Sequence, residues 1–464
     1  MILEQHYLAC LSQASYLVGD EHSRTAAIVD PRRDIDVYLE RAKSLGLVIR
    51  HVVLTHIHAD FVPGHLELAA RTGATIHLCR HARAQFPHQP FLEGQPIVLG
   101  SAGTGVQLEA IETPGHTPES LCVLVREGTD PKALLSGDTL FIGDVGRPDL
   151  LVSRGSSAAE LAGRLYDSLH GKLAALPDEL TLYPGHGAGS ACGKSLSNET
   201  VSTLGAQRRT NPMLQPMARE RFVELATSGL GTPPRYFGYD ATLNRELRPV
   251  LEELYAPASR TLPLSAVLEL MREGAVVLDT REPDEFAPRH LCGSVNIGLS
   301  GKFATWVGTL LDPMRPIVLI TPPGKERESI TRLARIGFDR VAGCLEGGIR
   351  ALDSAPEHIR AFERIDAPAL AERMLAEPLA VLDVRAEGER SAARIADSHF
   401  LPLPELLEST PDLLKDRPLA VHCAGGYRST IACSLLEARG FTRLIDLRGG
   451  MSGWIAGGQP VQRG

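Results

Sequence analysis

The C-terminal part of this chain is written twice. Val276-Val277-Leu278-Asp279-Thr280-Arg281-Glu282 returns as Ala380-Val381-Leu382-Asp383-Val384-Arg385-Ala386. Pro316 to Ile320 returns as Pro418 to His422, Ile336-Gly337-Phe338 as Arg439-Gly440-Phe441, and Leu345-Glu346-Gly347-Gly348 as Leu447-Arg448-Gly449-Gly450. The unit is about a hundred residues long, too long for a solenoid repeat and suited to a duplicated small domain. The repeat therefore predicts similar domains at residues 262–356 and 366–464 and leaves residues 1–256 for a third. The joints, Pro257 to Pro263 and Ala355 to Pro368, are neither long nor rich in glycine and serine, so the units are expected to pack together.

A length of 464 residues suits two or three cores rather than one. In the N-terminal part, short valine- and isoleucine-rich runs (Tyr16 to Ile28, Val48 to Leu54, Ile76 to Leu78, Val106 to Ile111, Leu121 to Val125, Leu134-Leu135) are joined by turns or by helical spacing, as over Val37 to Leu45. This alternation predicts an α/β architecture. Ser197 to Ala206 and Met217 to Thr227 read as helices of an extension that ends near Leu243 to Tyr255. The net charge is −8 and the arginines are dispersed, which excludes a nucleic-acid partner and favours a small metabolite. The first residues lack a basic n-region followed by an apolar core. No apolar run reaches the roughly 18 residues of a membrane span. Eight cysteines are scattered without a Cys-x-x-Cys pair, which points to individual thiols in a reducing cytoplasm.

Thr55-His56-Ile57-His58-Ala59-Asp60-Phe61 closes one of the apolar runs. Side chains two apart on an extended segment share a face, so His56 and His58 can approach one metal ion. Farther on, Thr113-Pro114-Gly115-His116-Thr117, Ser136-Gly137-Asp138-Thr139 and Tyr183-Pro184-Gly185-His186-Gly187 each put a ligand-type residue in a glycine turn after a strand. Any one of these alone is better read as a hydrogen-bonded structural residue or a turn. Four of them in this order specify a metal site. His65, His77, His81, His88 and His170 lack such company and read as surface, core or helix-face residues, with His65 near enough to the metal loop to support it.

On these motifs, the stretch ending near Arg245 resembles the persulfide dioxygenase branch of the metallo-β-lactamase superfamily. The resemblance implies an αββα sandwich and one ferrous ion per chain held by His56, His116 and Asp138. Two histidines and a carboxylate leave positions for O2 and substrate, the ligand set expected of a non-haem iron oxygenase, although zinc and manganese accept similar ligands. A second histidine normally follows the aspartate of the metal loop and serves a second ion. Phe61 stands there, and a phenyl ring has no lone pair to give. By the same resemblance His58, Asp60 and His186 belong to this incomplete second site and orient water or the metal ligands. Arg147, in Gly146-Arg147-Pro148-Asp149, falls where the branch has an arginine that receives the thiol carrier, with proline replacing threonine, and a guanidinium can grip a carboxylate through two hydrogen bonds.

His422-Cys423-Ala424-Gly425-Gly426-Tyr427-Arg428-Ser429 joins an apolar strand to a helical run. The loop can curl so that backbone N–H groups and the helix start face the sulfur, which favours a thiolate able to attack sulfane sulfur and to carry it as a persulfide. Gly425 and Gly426 allow the turn and line the substrate side, while Arg428 can brace the loop or meet an anion. This segment resembles the active loop of the rhodaneses, as does Asp383-Val384-Arg385, although Ala393 to His399 departs from the Gly-His-Ile-Pro-Gly-Ala segment usual there. The first copy keeps Asp279-Thr280-Arg281-Glu282 and His290 to Ile297 but has Thr321 in the place of Cys423. Pro322 and Pro323 remove N–H groups from that loop, so residues 262–356 read as an inactive rhodanese-like domain. Cys292 lies outside the active-loop position and reads as a core residue.

The expected fold is thus an α/β multidomain chain, an αββα metallo-β-lactamase sandwich followed by two α/β rhodanese-like domains with parallel sheets. The resemblance implies a dioxygenase and sulfurtransferase whose partners are a low-molecular-weight thiol persulfide such as glutathione persulfide, O2, sulfite and thiosulfate. A homo-oligomer, with the dimer as default, suits a soluble enzyme. Two other readings stay open: a dizinc thioester hydrolase of the glyoxalase type fused to a rhodanese, and a non-catalytic sulfur carrier or sensor.

Overall fold

The computed structural model describes residues 1–101, 104–150, 156–413 and 415–463. They form two compact units, Met1–Glu252 with Ala334–Gly337, and Glu253–Leu333 with Phe338–Gly464. Among the described residues no helix is long and apolar enough to cross a membrane.

The first unit is built on two six-stranded sheets. One runs Ile2–Leu8, Gln13–Asp20, Thr25–Val29, Val48–Val53, Thr75–Leu78, Gln89–Pro90 in spatial order. The other runs Ser202–Thr203, Thr181–Pro184, Asp130–Gly137, Leu121–Glu127, Val106–Glu112, Ile97–Val98. The apolar run at Tyr16 to Ile28 is a hairpin rather than one strand, pairing Tyr16 with Val29. Its turn is closed by the Ser23 amide donating to Asp20 Oδ1 at 2.7 Å. Strand alternation makes the layers. Leu121, Val123 and Val125 join Tyr16, Val18, Val29 and Val53 between the sheets, while Cys122 and Leu124 face the other way, against Leu165 and Phe222 of the helices Ala158–Asp167 and Arg219–Thr227. On the other sheet Leu17, Ile28 and Val52 pack outward on Tyr38, Ala42 and Leu68 of Asp36–Ser44 and His65–Thr72. Helix, sheet, sheet and helix result, with each fully buried aliphatic side chain contributing about 1.5–3 kcal/mol.

The helix expected over Ser197 to Ala206 begins late. Ser202 and Thr203 pair with Leu182 and Thr181 as an edge strand. Thr203 then caps the helix Leu204–Thr210 by accepting from the Ala206 amide. The next helix runs Arg219–Thr227, inside the expected Met217 to Thr227. The ends of four strands are tied to one another: the Leu121 amide donates to Thr55 O at 2.9 Å and the Gly185 amide to Gly137 O at 2.8 Å. Gly137 has φ +50°, and a Cβ there would lie 2.6 Å from Thr55 Oγ1, so close loop contact requires glycine.

The second unit holds two five-stranded sheets of identical order. The first is Thr261–Leu262, Val341–Leu345, Ile317–Ile320, Val276–Asp279, Val295–Asn296. The second is Glu363–Ile365, Leu444–Leu447, Leu419–His422, Ala380–Asp383, His399–Phe400. Their ladders are parallel throughout. The central strands Ile317–Ile320 and Leu419–His422 are buried on both faces, as continuous apolar runs in a parallel sheet should be. Cys292, expected in the core, is half-buried at the turn after His290–Leu291.

Candidate functional site

His56, His116 and Asp138 come from three loops at one edge of the sandwich, and each offers a ligand atom within 4.8 Å of the others. His116 Nε2 is 3.5 Å and His56 Nε2 3.9 Å from Asp138 Oδ2. All three residues are buried. The other ring nitrogen of each histidine is already engaged. Thr55 Oγ1 donates to Asp30 Oδ2 at 2.7 Å and lies 2.9 Å from His56 Nδ1, which leaves the hydroxyl to accept there. His116 Nδ1 lies 2.9 Å from Arg147 O, a carbonyl that can only accept. Both rings therefore carry hydrogen on Nδ1 and present Nε2 lone pairs inward, the arrangement that a metal requires. Burial first, and His58 next, press His56 well below the usual histidine range; burial likewise lowers His116. Neutral imidazoles are the ligating form. His56 Nε2 and Asp138 Oδ2 are buried without a hydrogen-bond partner. Such atoms are costly unless an ion meets them, so the donor set fits a divalent cation. Gly146 keeps the roof close, since a Cβ there would collide with Asp138 O at 1.9 Å.

A second group, Asp60, His186 and Cys192, also brings ligand atoms within 4.8 Å. His186 Nδ1 meets Asp138 Oδ1 at 2.8 Å, and its Nε2 lies 2.8 Å from Asp60 Oδ2. Burial opposes charge on both sides of this contact. The carboxylates Asp138 and Asp60 nevertheless hold His186 well above the usual range, and His186 with the other histidines holds Asp138 below its own. His58 stands beside the cluster, its ring centroid 4.2 Å from that of His56. Its Nε2 is 3.0 Å from Asp30 Oδ1, and the Phe61 ring is packed against it with centroids 4.3 Å apart. Of the three residues expected in the incomplete second site, Asp60 and His186 bring ligand atoms together, whereas His58 gives Nε2 to the buried Asp30 carboxylate and keeps Nδ1 buried without a hydrogen-bond partner. Cys192 takes part instead, with its thiol pushed up by burial and by Asp60 and Asp138. Arg147 is 6% exposed, and its guanidinium is occupied by both oxygens of Asp149 (2.7 and 2.8 Å) and by the carbonyls of Ala191 and Gly231.

In the second unit, Cys423 follows the strand Leu419–His422 and is 1% exposed. The Gly426 amide donates to Cys423 Sγ at 3.1 Å, and Ser429 Oγ lies 3.6 Å from it. Gly426 has φ +85°, which a side chain would strain, whereas a Cβ on Gly425 would meet open space. The helix Arg428–Glu437 starts beside the sulfur. Arg428 forms a two-bond fork with Glu389 at 2.6 and 2.8 Å. Beneath the loop, Met451 N donates to Cys423 O at 2.7 Å and Ser452 N to Ala424 O at 2.9 Å. In the first copy Thr321 occupies the strand end, its hydroxyl donating to Glu326 Oε1 at 3.2 Å.

The model of the metallo-beta-lactamase superfamily matches residues 8–186, and that of the rhodanese-like domain matches residues 264–355 and 366–457. Hydroxyacylglutathione hydrolase of Rhodospirillum rubrum is 31% identical over 249 residues, covering 53% of this chain and 87% of that protein. The mitochondrial persulfide dioxygenase ETHE1 of Homo sapiens is 30% identical over 231 residues, covering 48% and 80%. The chain belongs to the metallo-β-lactamase superfamily. It also carries two rhodanese-like domains. The crystal structure of a metallo-beta-lactamase from Staphylococcus aureus aligns with 74% of this chain and 98% of its own at TM-score 0.63 and 30% identity.

Several residues around the metallo-β-lactamase cluster escaped sequence reasoning. Asp30 and Thr55 set the His56 tautomer. Tyr236 donates to Asp60 O at 3.0 Å, and Asn244 donates to His58 O at 2.9 Å and Phe61 O at 2.8 Å. The extension after Gly189 thereby fixes the metal loop from outside. Cys192 carried one faint signal, a cysteine in a glycine-rich stretch just after His186.

Proposed function

We propose that the metallo-β-lactamase domain is a persulfide dioxygenase with one ferrous ion at His56, His116 and Asp138, and that the last domain is a sulfurtransferase acting through Cys423. The observation that carries the first half is the state of the metal loop: one complete cluster of inward Nε2 and carboxylate lone pairs, beside a His58 held by Asp30 under the Phe61 ring. A ferrous ion bound there supplies the redox chemistry that allows O2 to react with a persulfide sulfur. The overall change is persulfide, O2 and water to thiol, sulfite and two protons; the outer sulfur is oxidised and O2 is reduced.

The protein's own part is orientation. Thr55 and the Arg147 carbonyl fix the two imidazole tautomers, and His186 holds Asp138 Oδ1 so that Oδ2 points inward. Arg147, already occupied by Asp149 and two carbonyls, acts as a brace for the loop that carries this carbonyl rather than as a free grip for substrate.

In the last domain, Cys423 attacks the outer sulfur of a persulfide. The S–S bond breaks, the thiol leaves, and a cysteine persulfide remains; sulfite then takes that sulfur as thiosulfate and frees the cysteine. The Gly426 amide and the helix start stabilise negative charge on sulfur before and after transfer.

Two observations favour a second reading, a two-metal thioester hydrolase. One is the similar identity to hydroxyacylglutathione hydrolase, and the other is the Asp60, His186, Cys192 group. Metal analysis of protein purified without air, followed by oxygen uptake with glutathione persulfide, separates them. We expect one iron per chain, uptake in the wild type and its loss in His116→Ala. Two zinc ions per chain with thioester cleavage would overturn the dioxygenase. Unchanged uptake in His116→Ala would remove the cluster from the reaction.

A further inference from the structure

We infer that the inactive rhodanese-like copy is a positioning element for the Cys423 loop, acting chiefly through Tyr427; this rests on Cys423 being the sulfur-transferring nucleophile. Tyr427 lies between Gly426, whose amide reaches the sulfur, and Arg428, which opens the helix. Its ring does not point into its own domain. The hydroxyl donates to Gly298 O of the inactive copy at 2.6 Å, and the ring covers Gly301, where a Cβ would fall 2.5 Å from the ring carbons. The phenol of the half-buried Tyr427 is thereby directed at one carbonyl of the neighbouring copy.

The wall that receives Tyr427 is itself held. Ser300 N donates to Glu282 Oε1 at 2.9 Å, and Arg332 donates to Leu299 O. Glu282 belongs to the repeated motif of the inactive copy, and Arg332 to the helix that follows its dead loop. Two side chains of the inactive copy thus stiffen Gly298 to Gly301.

Two further supports come from the same copy. Asp284 lies 2.8 Å from Arg364, which donates to Gly426 O at 2.7 Å and to Asp446 Oδ2 at 2.7 Å. The helix beginning at Arg428 is pinned farther along, where Ser434 Oγ receives the Asn296 amide at 3.1 Å and Glu437 lies 3.1 Å from His290 Nε2. The residue that presents its N–H to sulfur is thus referenced to the inactive copy through its own carbonyl and through the side chain that follows it. A shift of a few tenths of an ångström at Gly426 changes a hydrogen bond to a thiolate, and such bonds matter more on forming or releasing charged sulfur than on binding neutral groups.

The test uses the full-length protein and four variants, Tyr427→Phe, Gly301→Val, Asp284→Asn and the control Thr321→Ala. Sulfur transfer from thiosulfate to cyanide gives kcat and KM, and the pH profile of Cys423 alkylation by iodoacetamide is read on the peptide mass. We expect Tyr427→Phe to lower kcat about fivefold, the scale of one hydrogen bond, with KM little changed and the alkylation profile displaced. Gly301→Val should act in the same direction and more strongly, Asp284→Asn more weakly, and Thr321→Ala not at all, while oxygen uptake stays at the wild-type level. Unaltered kcat and alkylation profile in Tyr427→Phe would overturn the inference, as would equal losses in Thr321→Ala. Tyr427→Phe keeps the ring and decides the matter if Gly301→Val fails to fold. A wild type that transfers no sulfur would refute the role of Cys423 itself, and the alkylation profiles would then still judge the positioning.

Discussion

In the copy at residues 262–356 the central strand is followed by Thr321, whose hydroxyl turns to Glu326; in the copy at 366–464 it is followed by Cys423, whose sulfur receives the Gly426 amide. Around that difference the two frames are nearly the same. Arg281 clasps Asp279 through Nε and Nη2 at 3.0 and 2.6 Å and also donates to the carbonyls of Glu285 and Arg289. Arg385 clasps Asp383 at 2.9 and 2.7 Å and donates to Glu389 and Ala393. The fork is therefore part of the domain's architecture, independent of whether a thiol is present. The loop after the central strand differs between the copies without disturbing the sheet, and on the proposed function chemistry belongs to the copy that has the thiol.

The largest expected effect separates loop from frame most sharply. Cys423→Ser should reduce thiosulfate sulfur transfer by about three orders of magnitude while leaving oxygen uptake with glutathione persulfide intact. If transfer persists, the Thr321 and Cys423 copies do not differ in the way described.

The next tests whether the forks are equivalent. Arg281→Leu strands the buried Asp279 carboxylate and should cost about 3–5 kcal/mol of stability, seen as a lower urea midpoint, whereas Arg385→Leu should cost less because Arg390 still donates to Asp383 Oδ2 at 3.4 Å. A variant that loses activity with no loss of stability would give Arg385 a role in the reaction that Arg281 lacks.

The smallest effect is an expected absence. Thr321→Cys in a Cys423→Ser background should restore no transfer, because Pro322 and Pro323 take N–H groups out of the loop and the Glu326 carboxylate beside position 321 opposes a thiolate there. Recovery of activity would mean that a thiol at the strand end suffices.

What the sequence disclosed follows the range of the interactions. The duplicated unit was legible as a repeat, and its parallel sheets agree with short buried runs joined by helices. His56, His116 and Asp138 were legible because each sits in a local turn motif, and the structure gathers them. The bond that turns His58 Nε2 was not legible because it depends on Asp30, which has φ +48° and lies far away in the chain, with nothing local to mark it as a buried acceptor. Cys192, Tyr236 and Asn244 were missed for the same reason: the chain brings them back only after the sandwich is built. The helix start near Ser197 was set too early because an edge-strand pairing, Ser202 with Leu182, is a long-range event that propensity does not register.

The glycine pairs that close the repeats have one more consequence, for how the two copies can change. Gly450 has φ +53°, and a Cβ there would lie 2.4 Å from Cys423 O; Gly348, at φ +57°, has nothing nearer than Thr321 O at 3.8 Å. Both positions share the same backbone conformation, one that asparagine tolerates better than other side chains. Only Gly450 is also closed by its neighbour. Mutational drift thus has an exit at 348 that it lacks at 450, so sequence divergence between the copies can proceed from one side alone.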